Sequence, residues 1–173
     1  MKWNEKGFSL LELIICISII AILSSGVVMG IRVLRSNDMK KASATVKGTL
    51  NNTRTYCLSK QSANCEFYKT TEGLWCKVTV NGEVISDEKI AGAKVTIKYM
   101  ISDTKAEYQV TDAGVQDVET APLTIAFDHS SGALKAASDV GGHRTYLYAL
   151  FVCKDDKAIR YVFTPLTGKI EQR

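Results

Sequence analysis

The chain has few of the residues from which catalytic and metal sites are built. Its only histidines among 173 residues are His129 and His143. The first sits in a Ser-rich turn and the second in a Gly-Gly loop. Neither has Cys or acidic residues at metal-ligand spacing, so both read as surface loop residues. There is no Gly-x-Ser-x-Gly elbow around Ser130 or any other serine. There is no glycine-rich phosphate loop. Asp103, Asp112, Asp117 and Glu119 lack calcium-loop spacing. Nor is there a Cys-x-x-Cys pair, which removes zinc ribbons and thioredoxin-like sites. Charge of one sign is missing too. The net charge is only +4, and lysines alternate with acids through most of the chain without forming a basic block. The expectation is a protein that is not an enzyme, with no metal and no cofactor. Proline is equally scarce. Pro122 and Pro165 are the only two, so none breaks a helix in the first two thirds of the chain.

What is present is concentrated at the start. From Phe8 to Ile31 the sole charged residue is Glu12. As a helix this run reaches about 36 Å at roughly 1.5 Å per residue, against a hydrocarbon core of about 30 Å. A cleaved secretory signal would explain Lys2, Lys6 and a small-residue site at Ser24 to Gly26, but the apolar character continues to Val33 and Leu34. An ordinary anchor explains the length and the basic cytoplasmic side. It does not explain Glu12, because an unpartnered carboxylate at that depth costs roughly 2.5 kcal/mol or more. A third reading supplies the partner. A cut between Gly7 and Phe8 creates a new amino group at Phe8, and Glu12 becomes the fifth residue. That amine neutralises Glu12 of a neighbouring copy or of its own chain. The pairing favours one axial register, since a misplaced helix leaves both charges unpaired.

The stretch "KGFSLLELI" resembles the class III signal of type IV pilins and pseudopilins, in which a short basic leader ends in Gly and is followed by Phe, with Glu at the fifth mature position. Gly7, Phe8 and Glu12 match that pattern. The resemblance implies cleavage between Gly7 and Phe8 by a prepilin peptidase and N-methylation at Phe8. It implies partners in other pilin or pseudopilin subunits, met through the N-terminal helix. It also implies a single pass through the cytoplasmic membrane, with the C-terminal domain outside, before incorporation into an extracellular or periplasmic filament.

Beyond the apolar run, Met39, Ala42, Val46, Leu50, Thr53 and Cys57 recur at three-or-four spacing, while Lys40, Lys41, Lys47, Asn51 and Arg54 fall on other faces. This predicts a nearly continuous helix from about Phe8 to Ser59. Gly26, Gly30 and Gly48 are its weak points. After about Gln61 the period changes to two. "CEFYKT", "LWCKVTV", "EVI", "AKVTIKYMI", "AEYQV", "LTIAFD", "GALKA", "TYLYALFVC", "IRYVFT" and "KIEQ" read as short antiparallel strands, with Asn81-Gly82 as a type I′ hairpin turn. Trp75, Tyr99, Tyr108, Tyr146, Tyr148 and Tyr161 lie at strand positions and are expected to pack against the helix or cross-strand neighbours. The expected fold class is α+β, a pilin-like long helix packed on an antiparallel β-sheet or sandwich. The expected organisation is a leader at 1–7, a membrane and filament-core helix at 8–34, an amphipathic continuation at 35–60 and a β-rich domain at 61–173. "LTIAFDHSSG" and "RYVFTPLTGKI" resemble the C-terminal domain of the H-type pseudopilins and fimbrial-T-like minor pilins, where an aromatic–turn–Gly hairpin and a terminal Thr-Gly hairpin recur.

Two features stay open at this level. Cys16 lies in the apolar run, and Cys57, Cys65, Cys76 and Cys153 are an even set in the remainder. They are either free thiols or two disulfides, with Cys57–Cys65 and Cys76–Cys153 the preferred pairs. The second concerns DNA. A competence-type pilin shares this N-terminus and requires a localised basic patch. Lys154, Lys157, Arg160, Lys169 and Arg173 cluster loosely, diluted by Asp155, Asp156 and Glu171. The structural subunit is the main expectation, with DNA capture the alternative.

Overall fold

The computed structural model describes residues 10–59, 61–102, 114–140 and 143–173, with the side chains of residues 23–37, 102, 138–140 and 143 outside that description. Helix α1 spans Leu10–Leu58. Among the described residues ten strands follow: β1 Ala63–Thr70, β2 Gly73–Val80, β3 Glu83–Gly92, β4 Val95–Ser102, β5 Gln116–Asp117, β6 Leu123–Ala126, β7 Ser138–Val140, β8 His143–Lys154, β9 Lys157–Thr164 and β10 Lys169–Gln172. The chain divides into two compact units, Met1–Asn37 and Asp38–Arg173.

The second unit is an α+β domain. Its strands form two sheets, one ordered β3-β2-β1-β6 and the other β10-β9-β8-β4-β5, with β7 added beside β8. Every pairing between named strands is antiparallel. Alternation decides which side chains go inward. In β1, Ala63, Cys65 and Phe67 are buried; in β2, Leu74, Cys76, Val78 and Val80 are. The helix meets them with one stripe: Ala42, Val46, Leu50 and Thr53 have no exposed surface and Cys57 almost none. The apolar members of this set share one hydrophobic core with Val95, Ile97, Leu150, Val152, Tyr161 and Phe163 of the second sheet. The only hydroxyl in that stripe is satisfied locally, since Thr53 Oγ1 donates to Thr49 O at 2.9 Å.

Two polar bonds fix the helix on the second sheet. Buried Tyr161 Oη donates to Ser43 O at 2.9 Å and also contacts Ser43 Oγ. Lys154, only 8% exposed, donates to Asp38 Oδ2 at 3.0 Å. The Asn81-Gly82 turn is of the expected kind, with φ of 52° and 85°, the left-handed pair that a type I′ hairpin requires.

Three expectations need correction. "GALKA" is not a strand; it contributes a single bridge, Leu134 to Phe127, because the chain leaves β6 through a tight turn and next bonds across to Pro165 O. The strand begun by "EVI" runs on to Gly92, accommodated by two register shifts against β2. The short strands β5 and β7 were not expected. "AEYQV" and Tyr108 lie outside the described residues.

Complete burial of the stripe makes the domain sensitive at its centre. Leu50→Ala is expected to lower the unfolding free energy by about 2–5 kcal/mol, by lost transfer energy plus a cavity. Asn51→Ala, on the exposed face one residue on, should stay within about 0.5 kcal/mol. Urea midpoints of the two variants check this.

Candidate functional site

Gly7 and Phe8 lie outside the described residues, and Glu12 is in the first turn of α1. Around Glu12 the helix exposes apolar side chains on every side: Leu10 is 77% exposed, Leu11 67% and Leu13 57%. The pattern continues with Ile14, Ile15, Ile17, Ile19, Ile20 and Ile22, all exposed. A helix apolar all round requires an apolar environment from outside itself, lipid or other helices. The hydroxyl in this segment already suits such surroundings. Ser18 Oγ donates to Ile14 O at 2.8 Å, so it needs no water. Glu12 is the one ionisable carboxylate here. Among the described residues no helix is long and apolar enough to cross a membrane, and the expected span at 8–34 lies partly outside them.

In the second unit the two glycine turns that carried the pseudopilin resemblance come together. Arg54 projects from α1 between them. Its Nε donates to Gly132 O at 3.1 Å and its Nη2 to Thr167 O at 2.9 Å. Gly132 and Gly168 both have positive φ, 66° and 63°. A Cβ on Gly168 would lie 1.9 Å from Gly132 O and 3.1 Å from Arg54 Nε. No side chain fits there. Glycine at 168 thus serves the close approach of two backbones as well as the turn itself. Leu134 N adds a bond to Pro165 O at 2.9 Å. On the first turn, Asp128 Oδ1 accepts from the backbone N–H groups of Ser130 and Ser131 at 2.9 and 3.0 Å. With the Ser130 hydroxyl foremost, these donors hold the Asp128 carboxyl well below the usual carboxylate range. His129 is exposed on this turn, as expected; the side chain of His143 is outside the described residues. Arg54 was not singled out by sequence reading. The signal was there only as a cation at a helix position between core stripe and solvent.

All five cysteines are free thiols in this structure. The Cys76–Cys153 expectation is corrected by strand alternation. Cys76 joins the core beneath α1, whereas Cys153 sits with Met100, Ala149 and Phe151 on the opposite side of the second sheet. Cys57 and Cys65 do share the core, yet neither is bonded to the other. Cys57 Sγ donates to Ala63 O at 3.3 Å and Cys65 Sγ lies 3.8 Å from Ile125 O. Burial pushes the Cys65 thiol far above its ordinary value, reinforced by the neighbouring Cys76 and Cys57. Burial likewise pushes Cys76 up to about 12. Neither supplies a thiolate for nucleophilic chemistry. Among the described residues no cluster of His, Cys, Asp and Glu is arranged to hold a metal ion.

Two outcomes follow from this geometry. Gly168→Ala should destabilise the domain by at least about 2 kcal/mol, since backbone clash adds to αL strain. Gly82→Ala, with φ of 85° but nothing within 4 Å, should cost only about 1 kcal/mol. Denaturation midpoints distinguish them. In the folded protein Cys65 and Cys76 should resist alkylation at mildly alkaline pH and react once it is unfolded; rapid labelling of the native form would contradict their burial.

No curated protein and no solved structure is detectably similar to the chain. A family model does match, the prokaryotic N-terminal methylation motif, over residues 4–28. That segment contains Gly7, Phe8 and Glu12 and the exposed apolar helix that follows, so the chain carries the class III signal of type IV pilin- and pseudopilin-type proteins.

Proposed function

We propose that the protein is a structural minor subunit of a type IV filament or of a type II secretion-like pseudopilus. In this reading a prepilin peptidase cuts between Gly7 and Phe8 and methylates Phe8. The subunit waits in the cytoplasmic membrane with its β-rich domain outside, then enters a fibre by packing its N-terminal helix among those of other subunits. The observation that carries the reading is the methylation motif placed directly on a helix whose described start is apolar on every side, with one carboxylate in its first turn. Lipid covers such a surface before assembly and neighbouring helices cover it afterwards. The role for this chain is architectural, and the proposal assigns it no catalysis.

Nothing specific favours the alternative of DNA capture. The C-terminal cations that motivated it are largely engaged within the chain. Lys154 is nearly buried against Asp38, and Lys169 and Arg173 both approach Glu171. A dispersed, neutralised set of this kind releases few counterions and gives weak phosphate affinity.

The test is Glu12→Val in a strain that assembles the filament. Cleavage at Gly7 should persist, because the cut site is intact. Incorporation should fall by at least about tenfold, since the substitution leaves the Phe8 amine without its carboxylate in an apolar bundle. Recovery of the variant in sheared filaments or in the tip complex at the wild-type level would remove the proposed role of Glu12.

A further inference from the structure

The outward face of the first sheet carries two aromatic rings among paired charges, and strand register sets them side by side. Tyr68 of β1 pairs with Trp75 of β2, and Trp75 with Lys89 of β3. The next row on the same face is Thr124, Glu66, Lys77 and Asp87, from β6, β1, β2 and β3. Alternation sends these side chains away from the core, since Cys65, Phe67, Leu74, Cys76 and Val78 point into it. The two rings are nearly parallel, with 17° between their planes and centroids 6.4 Å apart. Tyr68 is fixed in place: its Oη donates to Asp87 Oδ1 at 2.6 Å, and Lys77 Nζ lies 6.0 Å from its ring centroid. The result is a rigid aromatic surface that remains partly open to solvent.

Beside Tyr68 this face dips into a hollow of about 300 Å³, at the lower end of the range for small-ligand pockets. Glu66, Lys69, Lys77 and Glu119 stand around it, and Thr120 and Pro122 line it from the segment before β6. Lys77 is paired with Glu66 and Lys69 with Glu119. Acids and bases therefore balance in the hollow, and Asp87 and Lys89 beyond it balance as well. A charged ligand would have to break one of these pairs, and a balanced wall offers no net field to draw it in. A neutral ligand rich in hydroxyls need not break them. Each carboxylate keeps spare lone pairs and each ammonium spare protons, so groups that both donate and accept can bridge the two. The negative π face of Tyr68 suits a flat array of C–H groups. A pyranose ring supplies both features, C–H groups on one face and hydroxyls around its rim.

We infer that this hollow binds a neutral saccharide, with one sugar ring laid on Tyr68 and its hydroxyls bridging the Glu66–Lys77 and Lys69–Glu119 pairs. Trp75 stacks against Tyr68 and extends the aromatic surface towards β3, where a second sugar of a chain can rest. Because Tyr68 is already held by Asp87, little side-chain freedom is lost on binding. The site lies wholly within the globular domain and does not rest on the filament reading.

The experiment uses the full chain in phospholipid nanodiscs, so that no sugar-headed detergent competes. The probes are immobilised neutral hexasaccharides of α-1,4-glucose, β-1,4-glucose and β-1,4-N-acetylglucosamine, beside a uronic-acid chain of the same length. Saturable binding to at least one neutral probe is expected, changing less than about twofold between roughly 0.05 and 0.5 M salt. Tyr68→Ala should weaken it at least about tenfold through loss of the ring. Tyr68→Phe, which keeps the ring and gives up only the bond to Asp87, should stay within about threefold. Thr120→Trp fills the hollow from an exposed position outside the core and should abolish binding, which keeps the test decisive if Tyr68→Ala unfolds. No saturable binding to any neutral probe, binding to the uronic-acid chain alone, or wild-type binding by either folded variant, Tyr68→Ala or Thr120→Trp, overturns the site.

Discussion

In the proposed reading one charge pair, the Glu12 carboxylate with a cationic amine, organises the N-terminal unit. Hydrocarbon solvates a carboxylate poorly, and the large side chains that the described start of the helix exposes around Glu12 are leucines and isoleucines. Its energy therefore depends on what lies beside the first turn. In the proposed cycle the cation is made by the cut at Gly7, so processing and docking are linked through one charge pair. The same logic accounts for Ser18, whose hydroxyl is bonded back to its own helix. Everything else in the segment tolerates an apolar environment; Glu12 alone discriminates between one neighbour position and another.

The later part of α1 obeys a different rule. There a single stripe from Ala42 to Cys57 is buried, and both sheets converge on it. Hydrophobic burial of that stripe supplies stability but little direction. Direction comes from polar contacts at the margins: Tyr161 on Ser43, Lys154 on Asp38, and Arg54 across the two glycine turns. The Arg54 bonds matter most for shape. They draw the turn after β6 and the β9–β10 turn onto the helix at one place, which the absence of a Cβ at Gly168 permits.

Much of this was legible in the sequence because the signals are local. The three-or-four spacing of the stripe, the period of two in β1, β2 and β4, and the Asn81-Gly82 turn each depend on near neighbours. The methylation motif is also local, and it is the one feature that the comparison with known families recovers. Features that depend on distant partners were not legible. "GALKA" has strand composition, yet Leu134 gains only one bridge because its next partner is Pro165 in another hairpin. The Cys76–Cys153 pairing failed because alternation in β8 points Cys153 away from the core, which depends on the phase of that strand against its sheet. Arg54 looked like a solvated helix cation; its acceptors are 78 and 113 residues away.

In the proposed cycle the cut at Gly7 sets a new cationic amine at Phe8, and Glu12 of a neighbouring copy or of the same chain pairs with it. The mass of the mature N-terminus, measured on the chain recovered from cells that make it, tests this most directly. The account predicts a chain that begins at Phe8 and carries one methyl group on its amine. An intact leader, or a cut elsewhere such as after the small residues at Ser24 to Gly26, would contradict it.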